Sequence, residues 1–267
     1  MFAIACYELS RRFGEFTAVS KVNLKVEAGE FFAFLGPNGA GKTTTLHMLT
    51  TMLAPSAGRA EVMGFDVVRN ARAVRLRLGM VFQEPALDDR LTARENLGIH
   101  AALYGISWAQ TRAAVKRALA WASLDEMSRR PVRSFSGGMK RRLELCRALM
   151  HEPAVLFLDE PTLGLDPQGR LHLWERIDDL RERGLTVLMT THNLDEAERC
   201  NRVGIIDHGE LIALGTPQEL KRQVVGTEQC SLEDVFLTLT GRQLRDEDAT
   251  ARQRMLSFAR KGGEHTR

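Results

Sequence analysis

One short stretch constrains this chain more than any other: Gly36 to Thr43 read GPNGAGKT and follow directly on the apolar run Phe31-Phe32-Ala33-Phe34-Leu35. The pattern G-x-x-x-x-G-K-[ST] at the end of a buried strand makes the chain leave the strand and enter a helix. Successive backbone N–H groups and the helix N-terminus then converge on one anion. Gly36, Gly39 and Gly41 permit backbone conformations and close phosphate approach that a Cβ would block, with Pro37, Asn38 and Ala40 between them. Lys42 supplies a compact ammonium for the β- and γ-phosphates and Thr43 a hydroxyl for Mg²⁺, while Thr44 and Thr45 open a helix running through Met48 and Leu49. An ordinary glycine turn does not require Gly-Lys-Thr at its end. The loop predicts binding of a nucleoside triphosphate, without saying which nucleotide enzyme this is.

At 267 residues, 44% hydrophobic and 27% charged, the chain has the composition of a soluble globular protein with one large core, or a core and a smaller lobe. Its longest apolar runs fall far short of the roughly 20 residues a membrane-spanning helix needs. The start, MFAIACYE, lacks a basic segment followed by a long apolar core, so a cytosolic location is expected. Cys6, Cys146, Cys200 and Cys230 are far apart with no C-x-x-C pair, which argues for packing roles and against zinc or a disulfide framework. A net charge of +3 from 37 basic and 34 acidic residues is too small to imply a nucleic-acid surface.

Val22-Asn23-Leu24-Lys25-Val26 alternates as a half-exposed antiparallel strand does, whereas residues 155–158, 185–189 and 203–206 read as buried strands separated by helical patterns. The fold class is α/β: a P-loop core with a parallel sheet, an N-terminal antiparallel β subdomain and an inserted helical subdomain at about 84–150. Helix starts are marked at Thr92 to Glu95, Ser107 to Gln110 and Thr216 to Glu219. Leu232, Val235, Phe236 and Leu239 form a helical stripe after Ser231 that Gly241 ends. The main domain spans 1–241, and the charged stretch 242–267 is expected to fray unless a partner orders it.

Residues 155–158 deliver Asp159 and Glu160 to a strand end, where ligands collect in doubly wound sheets. Asp159 is assigned to hold Mg²⁺ with Thr43, and Glu160 to accept a proton from an attacking water; the bland alternative is a solvated acidic turn. Ser136-Gly137-Gly138 precedes a helix whose Met139, Leu143, Cys146 and Met150 form an apolar stripe, with Arg141 and Arg142 off it. That is a second helix N-terminus prepared for an anion, although taken alone it also reads as a plain serine N-cap.

Together these elements resemble the nucleotide-binding subunit of an ATP-binding cassette (ABC) transporter over about 2–241: GPNGAGKTT, Gln83 after Met80-Val81-Phe82, FSGGM, VLFLDEP, the Gly164-Leu165-Asp166 turn, and His192 after Leu188-Met189-Thr190-Thr191. The resemblance implies ATP hydrolysis with Mg²⁺ between two subunits, most simply a homodimer, that sandwich ATP head to tail. Ser136, Gly137, Gly138 and Met139 of one chain would then face the phosphates bound by the other. By the same resemblance Phe13 stacks on adenine, Glu160 is the base, and His192 contacts the γ-phosphate. Gln83 links Mg²⁺ and attacking water to a membrane partner, and Asp166 communicates across the dimer. Each has a plainer reading: a core phenylalanine, a strand-end glutamine, a surface histidine, and an Asp-Pro start to the following helix. Phe135 and Met139 stand where the family signature usually has leucine and glutamine, so an amide near the ribose is absent.

The resemblance further implies separate transmembrane permease subunits, docking beside Gln83 and residues 91–105 and holding the chain on the inner face of the membrane. SLEDVFLTLTG at Ser231 to Gly241 is similar to the ending of exporter subunits that move drugs, polysaccharides or lipid-linked compounds, and so favours export over import. A nucleic-acid or ribosome-acting member of the superfamily would predict a second cassette, a long coiled-coil insertion or zinc-binding cysteines. A kinase or GTPase would not need FSGGM. The transported compound is not written in this chain.

Overall fold

Val22, Leu24 and Val26 are buried and Asn23 and Lys25 exposed, as a strand with one covered face requires. The structure, a computed structural model, describes residues 2–224 and 230–241. In it β1 (Phe2–Phe13) and β2 (Phe16–Glu27) form a long antiparallel hairpin. After β3 (Phe31–Leu35) the chain adds β4 (Ala57–Val62) and β5 (Phe65–Asp66), which complete a four-stranded antiparallel sheet in the order β2-β1-β4-β5.

β3 itself belongs to the second sheet, with β6 (Leu78–Val81), β7 (Val155–Asp159), β8 (Thr186–Thr191), β9 (Arg202–Asp207) and β10 (Glu210–Gly215). The order is β10-β9-β3-β8-β7-β6, parallel except for β10 on β9. Side-chain alternation explains its all-apolar run. Phe31, Ala33 and Leu35 enter one core, while Phe32 and Phe34 enter a second, shared with the antiparallel sheet. Each fully buried phenylalanine contributes on the order of 2 kcal/mol by removing its ring from water. Because β3, β8, β7 and β6 run parallel, their C-terminal ends emerge on one edge, and Leu35, Thr191, Asp159 and Thr190 lie at nearly one level.

The helices α1 (Lys42–Leu49), α2 (Ala71–Arg75), α3 (Ala93–Leu103), α4 (Trp108–Trp121), α5 (Gly137–Leu149), α6 (Pro167–Glu182), α7 (Leu194–Glu198), α8 (Pro217–Val224) and α9 (Leu232–Thr240) cover and connect the sheets. α3, α4 and α5 gather a third apolar cluster including Leu97, Leu119, Phe135, Leu143 and Cys146. Thr92 and Ser231 form capping boxes with Glu95 and Asp234, and Gly241 closes α9 in the left-handed conformation. Ser107 departs from expectation: it occupies the N-cap, but its hydroxyl bonds the Gln110 side chain at 2.7 Å instead of a backbone N–H. Leu239 is exposed while Leu232, Val235 and Phe236 are buried, because the last turn of α9 runs beyond the core. α1 begins at Lys42, ahead of the expected Thr44. The thiols of Cys6 and Cys146 are pushed up to about 12 by burial, so both behave as packing groups. No helix among the described residues is long and apolar enough to cross a membrane. The stretch 242–267, expected to fray, lies outside the described residues.

α3 is tied to the sheet by an aromatic stack. His151 Nε2 lies 2.9 Å from the Leu78 carbonyl, which can only accept, so the neutral His151 donates there and its Nδ1 accepts from His100 Nε2 at 3.3 Å. Tyr104 stacks on His151 at 3.8 Å between centroids. Burial, with the nearby Arg147 and His151, lowers the pKa of His100 from 6.5 to about 3. The unfolded chain therefore binds a proton below pH 6.5 that the folded chain refuses until about pH 3, and stability falls as pH drops through that window. Urea unfolding should show His100 costing about 1.4 kcal/mol at pH 5.5 relative to neutral pH, and His100→Leu should flatten this dependence. An unchanged pH slope in the variant would contradict the assignment.

Candidate functional site

The phosphate loop leaves β3 at Gly36, whose N–H donates to the Thr191 carbonyl at 3.3 Å, and enters α1 at Lys42. Two of its glycines are demanded by packing. A Cβ on Gly36 would collide with the Ile206 carbonyl, and one on Gly41, at φ 103°, would lie 2.5 Å from the Ala18 carbonyl. The loop is thus pressed between β2 and β9, leaving Asn38 and Gly39 exposed at its tip. Thr44, two residues into α1, is half-buried.

Lys42 is buried, and its Nζ donates to the Gly36 and Pro37 carbonyls at 2.8 and 3.0 Å and pairs with Glu160 Oε1 at 3.3 Å. Thr43 Oγ1 donates to Asp159 Oδ1 at 3.0 Å, and Thr190 donates to the same oxygen. Glu160 Oε2 lies 2.8 Å from His192 Nδ1. Six side chains from two strand ends and one helix therefore meet here: Lys42, Glu160 and His192 in one set of contacts, and Thr43, Asp159 and Thr190 in the other. Thr43 and Asp159 offer two hard oxygens side by side, a donor set suited to Mg²⁺. The loop with its exposed tip at Asn38 and Gly39, leading into the N-terminus of α1, suits a phosphate.

Glu160 bears opposing influences. Burial pushes its carboxyl upward, but the His192 hydrogen bond and the Lys42 charge together outweigh it, and the net position lies below the usual glutamate range. The side chain is therefore ionised at neutral pH. Its backbone is left-handed, φ 43°, a conformation costly for a non-glycine residue. The turn is held because the Glu160 N–H donates to both the carbonyl and the hydroxyl oxygen of Thr190, each at 3.1 Å.

The remaining candidates are spread around this centre. Phe13 ends β1 at the hairpin tip, partly exposed, with the Arg11 guanidinium 4.6 Å from its ring centre. Gln83 stands exposed on the loop after β6. Asp166 caps α6 by accepting from the Gly169 N–H at 2.7 Å, with Pro167 at the first helical position, as Asp-Pro predicts. Ser136 accepts from the Met139 N–H at 3.2 Å, so it does cap α5, and Ser136 and Gly137 are exposed. Gly138 and Met139 follow, half-buried.

Buried charged residues with no clear signal in the sequence include Glu196, Arg141 and, beside Arg141 on α5, Glu144. Glu196 on α7 accepts from Thr191 Oγ1 at 2.6 Å and from Thr162, joining the end of β8 to the segment after Glu160; burial raises its carboxyl above the usual value. Arg141, expected off the apolar stripe of α5, is buried against the end of β7.

A family model described as ABC transporter matches residues 19–163. The chain is 45% identical over 225 residues to the daunorubicin resistance ATP-binding protein DrrA3 of Streptomyces coeruleorubidus, covering 84% of this chain and 71% of that protein. It is 46% identical over 235 residues to the Nod factor export ATP-binding protein I of Paraburkholderia xenovorans, covering 88% and 76%. A solved ATP-binding cassette, dimeric and in a post-hydrolysis state with ADP and phosphate, superposes with a TM-score of 0.72 at 26% identity, over 80% of this chain and 98% of that one. The loop that cradles phosphate, the paired carboxylates and these relatives lead to one conclusion: the chain belongs to the ABC transporter family, as an ATP-binding subunit with ATPase activity.

Proposed function

We propose that this subunit hydrolyses MgATP in a homodimer and thereby drives export through separate permease subunits on the inner face of the membrane. The observation that carries the ATPase reading is the direct contact of Lys42, Thr43, Asp159, Glu160 and His192 at one sheet edge. Export is supported by the similarity to the drug-resistance and Nod factor export subunits. Docking of the permease beside Gln83 and residues 91–105 is supported by α3, where Ile99 and Leu103, one turn apart, are 52% and 77% exposed.

In this reading the phosphate loop binds the triphosphate through its amides and Lys42, and Phe13 stacks on the adenine. Thr43 and Asp159, with Gln83, would hold Mg²⁺, which supplies charge neutralisation on the phosphates. Glu160 takes the proton of the attacking water, while His192 orients Glu160 and reaches the γ-phosphate. Lys42 bridges Glu160 in the structure. When Lys42 turns its charge to phosphate, Glu160 loses that partner, and burial then strengthens it as a base. Ser136, Gly137, Gly138 and Met139 act on the ATP held by the other protomer, and Asp166 lies beside them in the dimer contact.

Glu160→Gln should keep nucleotide affinity and lose turnover by about 10²- to 10⁴-fold, read as phosphate release beside a nucleotide titration. Near-normal hydrolysis would place the base elsewhere. Lys42→Ala should instead weaken triphosphate binding by about 10- to 100-fold in the same titration, and an unchanged affinity would contradict its role.

A further inference from the structure

The guanidinium of Arg141 is buried and is spent almost wholly on backbone. Its Nε donates to the Pro161 carbonyl at 2.7 Å, and its Nη2 donates to the carbonyls of Asp159 and Glu160 at 3.1 and 3.2 Å. Nη1 donates to the Phe82 carbonyl, one residue before Gln83, and to Glu144 Oε2 at 2.9 Å. Glu144, fully buried one turn along α5, accepts from the Ala86 N–H at 3.0 Å through its other oxygen. One planar fork on α5 thus grips three consecutive carbonyls around the left-handed Glu160. With Glu144 it also grips both sides of the loop that carries Gln83.

This pattern exceeds what holding a helix onto a sheet requires. Apolar packing already does that, since Leu145 and Ala148 of α5 share a core with Leu156 and Leu158 of β7. The neighbouring Arg142 shows the ordinary case: it is half-buried and donates to the Ala122 carbonyl at 2.9 Å within the helical lobe, away from the carboxylates. Arg141 lies five residues beyond Ser136 on the same rigid helix. We propose that Arg141, locked by Glu144, is a positioning residue: it transmits the placement of the Ser136 end of α5 to the backbone of Glu160 and to the Gln83 loop. Hydrolysis is thereby tied to the seating of α5. The clamp makes no bond to the phosphate loop itself, where Lys42 and the backbone amides would bind the chain's own ATP.

The inference rests on the proposed role of Glu160, and the test separates the two. In the full-length chain, Arg141→Lys keeps the charge but cannot fork across three carbonyls. It should lower kcat by about tenfold or more while leaving the KM for ATP within about threefold; the unpaired carbonyls lower the melting temperature, so kcat is read where the variant is fully folded. The double variant R141M/E144M replaces the buried pair by apolar groups of similar size, which restores packing without the clamp. It should keep the low kcat even where its melting temperature recovers. Arg142→Met, which removes only the bond to the Ala122 carbonyl within the helical lobe, should leave kcat unaltered. A kcat near the parent's in folded Arg141→Lys overturns the proposal. So does a loss that merely tracks the fraction unfolded, or a double variant in which kcat and melting temperature recover together. If Glu160→Gln abolishes turnover while the clamp variants do not, only the clamp fails; if Glu160→Gln retains turnover, the reading of the site fails first.

Discussion

Two adjacent carboxylates, Asp159 and Glu160, are buried at the end of β7, and the surrounding structure is organised around compensating them. An uncompensated buried charge costs several kcal/mol, a large part of a typical domain's stability. Asp159 is answered by hydroxyls from Thr43 and Thr190, and Glu160 by Lys42 and His192. These partners come from the phosphate loop, α1 and β8, so the strand order β3-β8-β7 is as much an electrostatic requirement as a packing one. In the mechanism we propose, the groups that stabilise the folded carboxylates are those the reaction uses, and each would exchange partners when a nucleotide enters.

The site is firm at its base and open at its tip. Gly36 and Gly41 are pinned against β9 and β2, where no Cβ fits, while Asn38 and Gly39 stay exposed. Glu160 adopts its unfavourable backbone because Thr190 and Arg141 hydrogen-bond the peptide groups on either side of it. The strain is over-determined by its neighbours, as strain at a functional position must be to persist.

Much of this was legible in the sequence because its causes are local. The apolar run before GPNGAGKT is β3, the Val22 alternation is β2, and the Thr92 and Ser231 signals are capping boxes within four residues of chain. Arg141 and Glu196 were not legible. A charged side chain on a helix reads as solvent-facing, and only the tertiary fold brings the Asp159, Glu160 and Pro161 carbonyls to Arg141, about 20 residues away in sequence. The hydrogen-bonded pair of His100 and His151 escaped for the same reason, since 51 residues separate its partners. At Ser107 the capping pattern does mark a helix start, but the side chains bond each other in place of the backbone.

The carboxylate half of the centre lies wholly within one chain, whereas the N-terminus of α5, with Ser136 and Gly137 exposed, faces outward. The central claim is that a second copy brings that surface to the phosphates. Mixing two defective chains tests it most directly. Lys42→Ala removes the phosphate loop's cation and Ser136→Arg blocks the outward-facing helix end; a dimer of one of each concentrates both defects in one centre and leaves the other intact. The account predicts that each variant alone is inactive and that an equimolar mixture recovers about one quarter of the parent's ATPase activity, given random pairing of two-fold dimers. A mixture no more active than its components would contradict it.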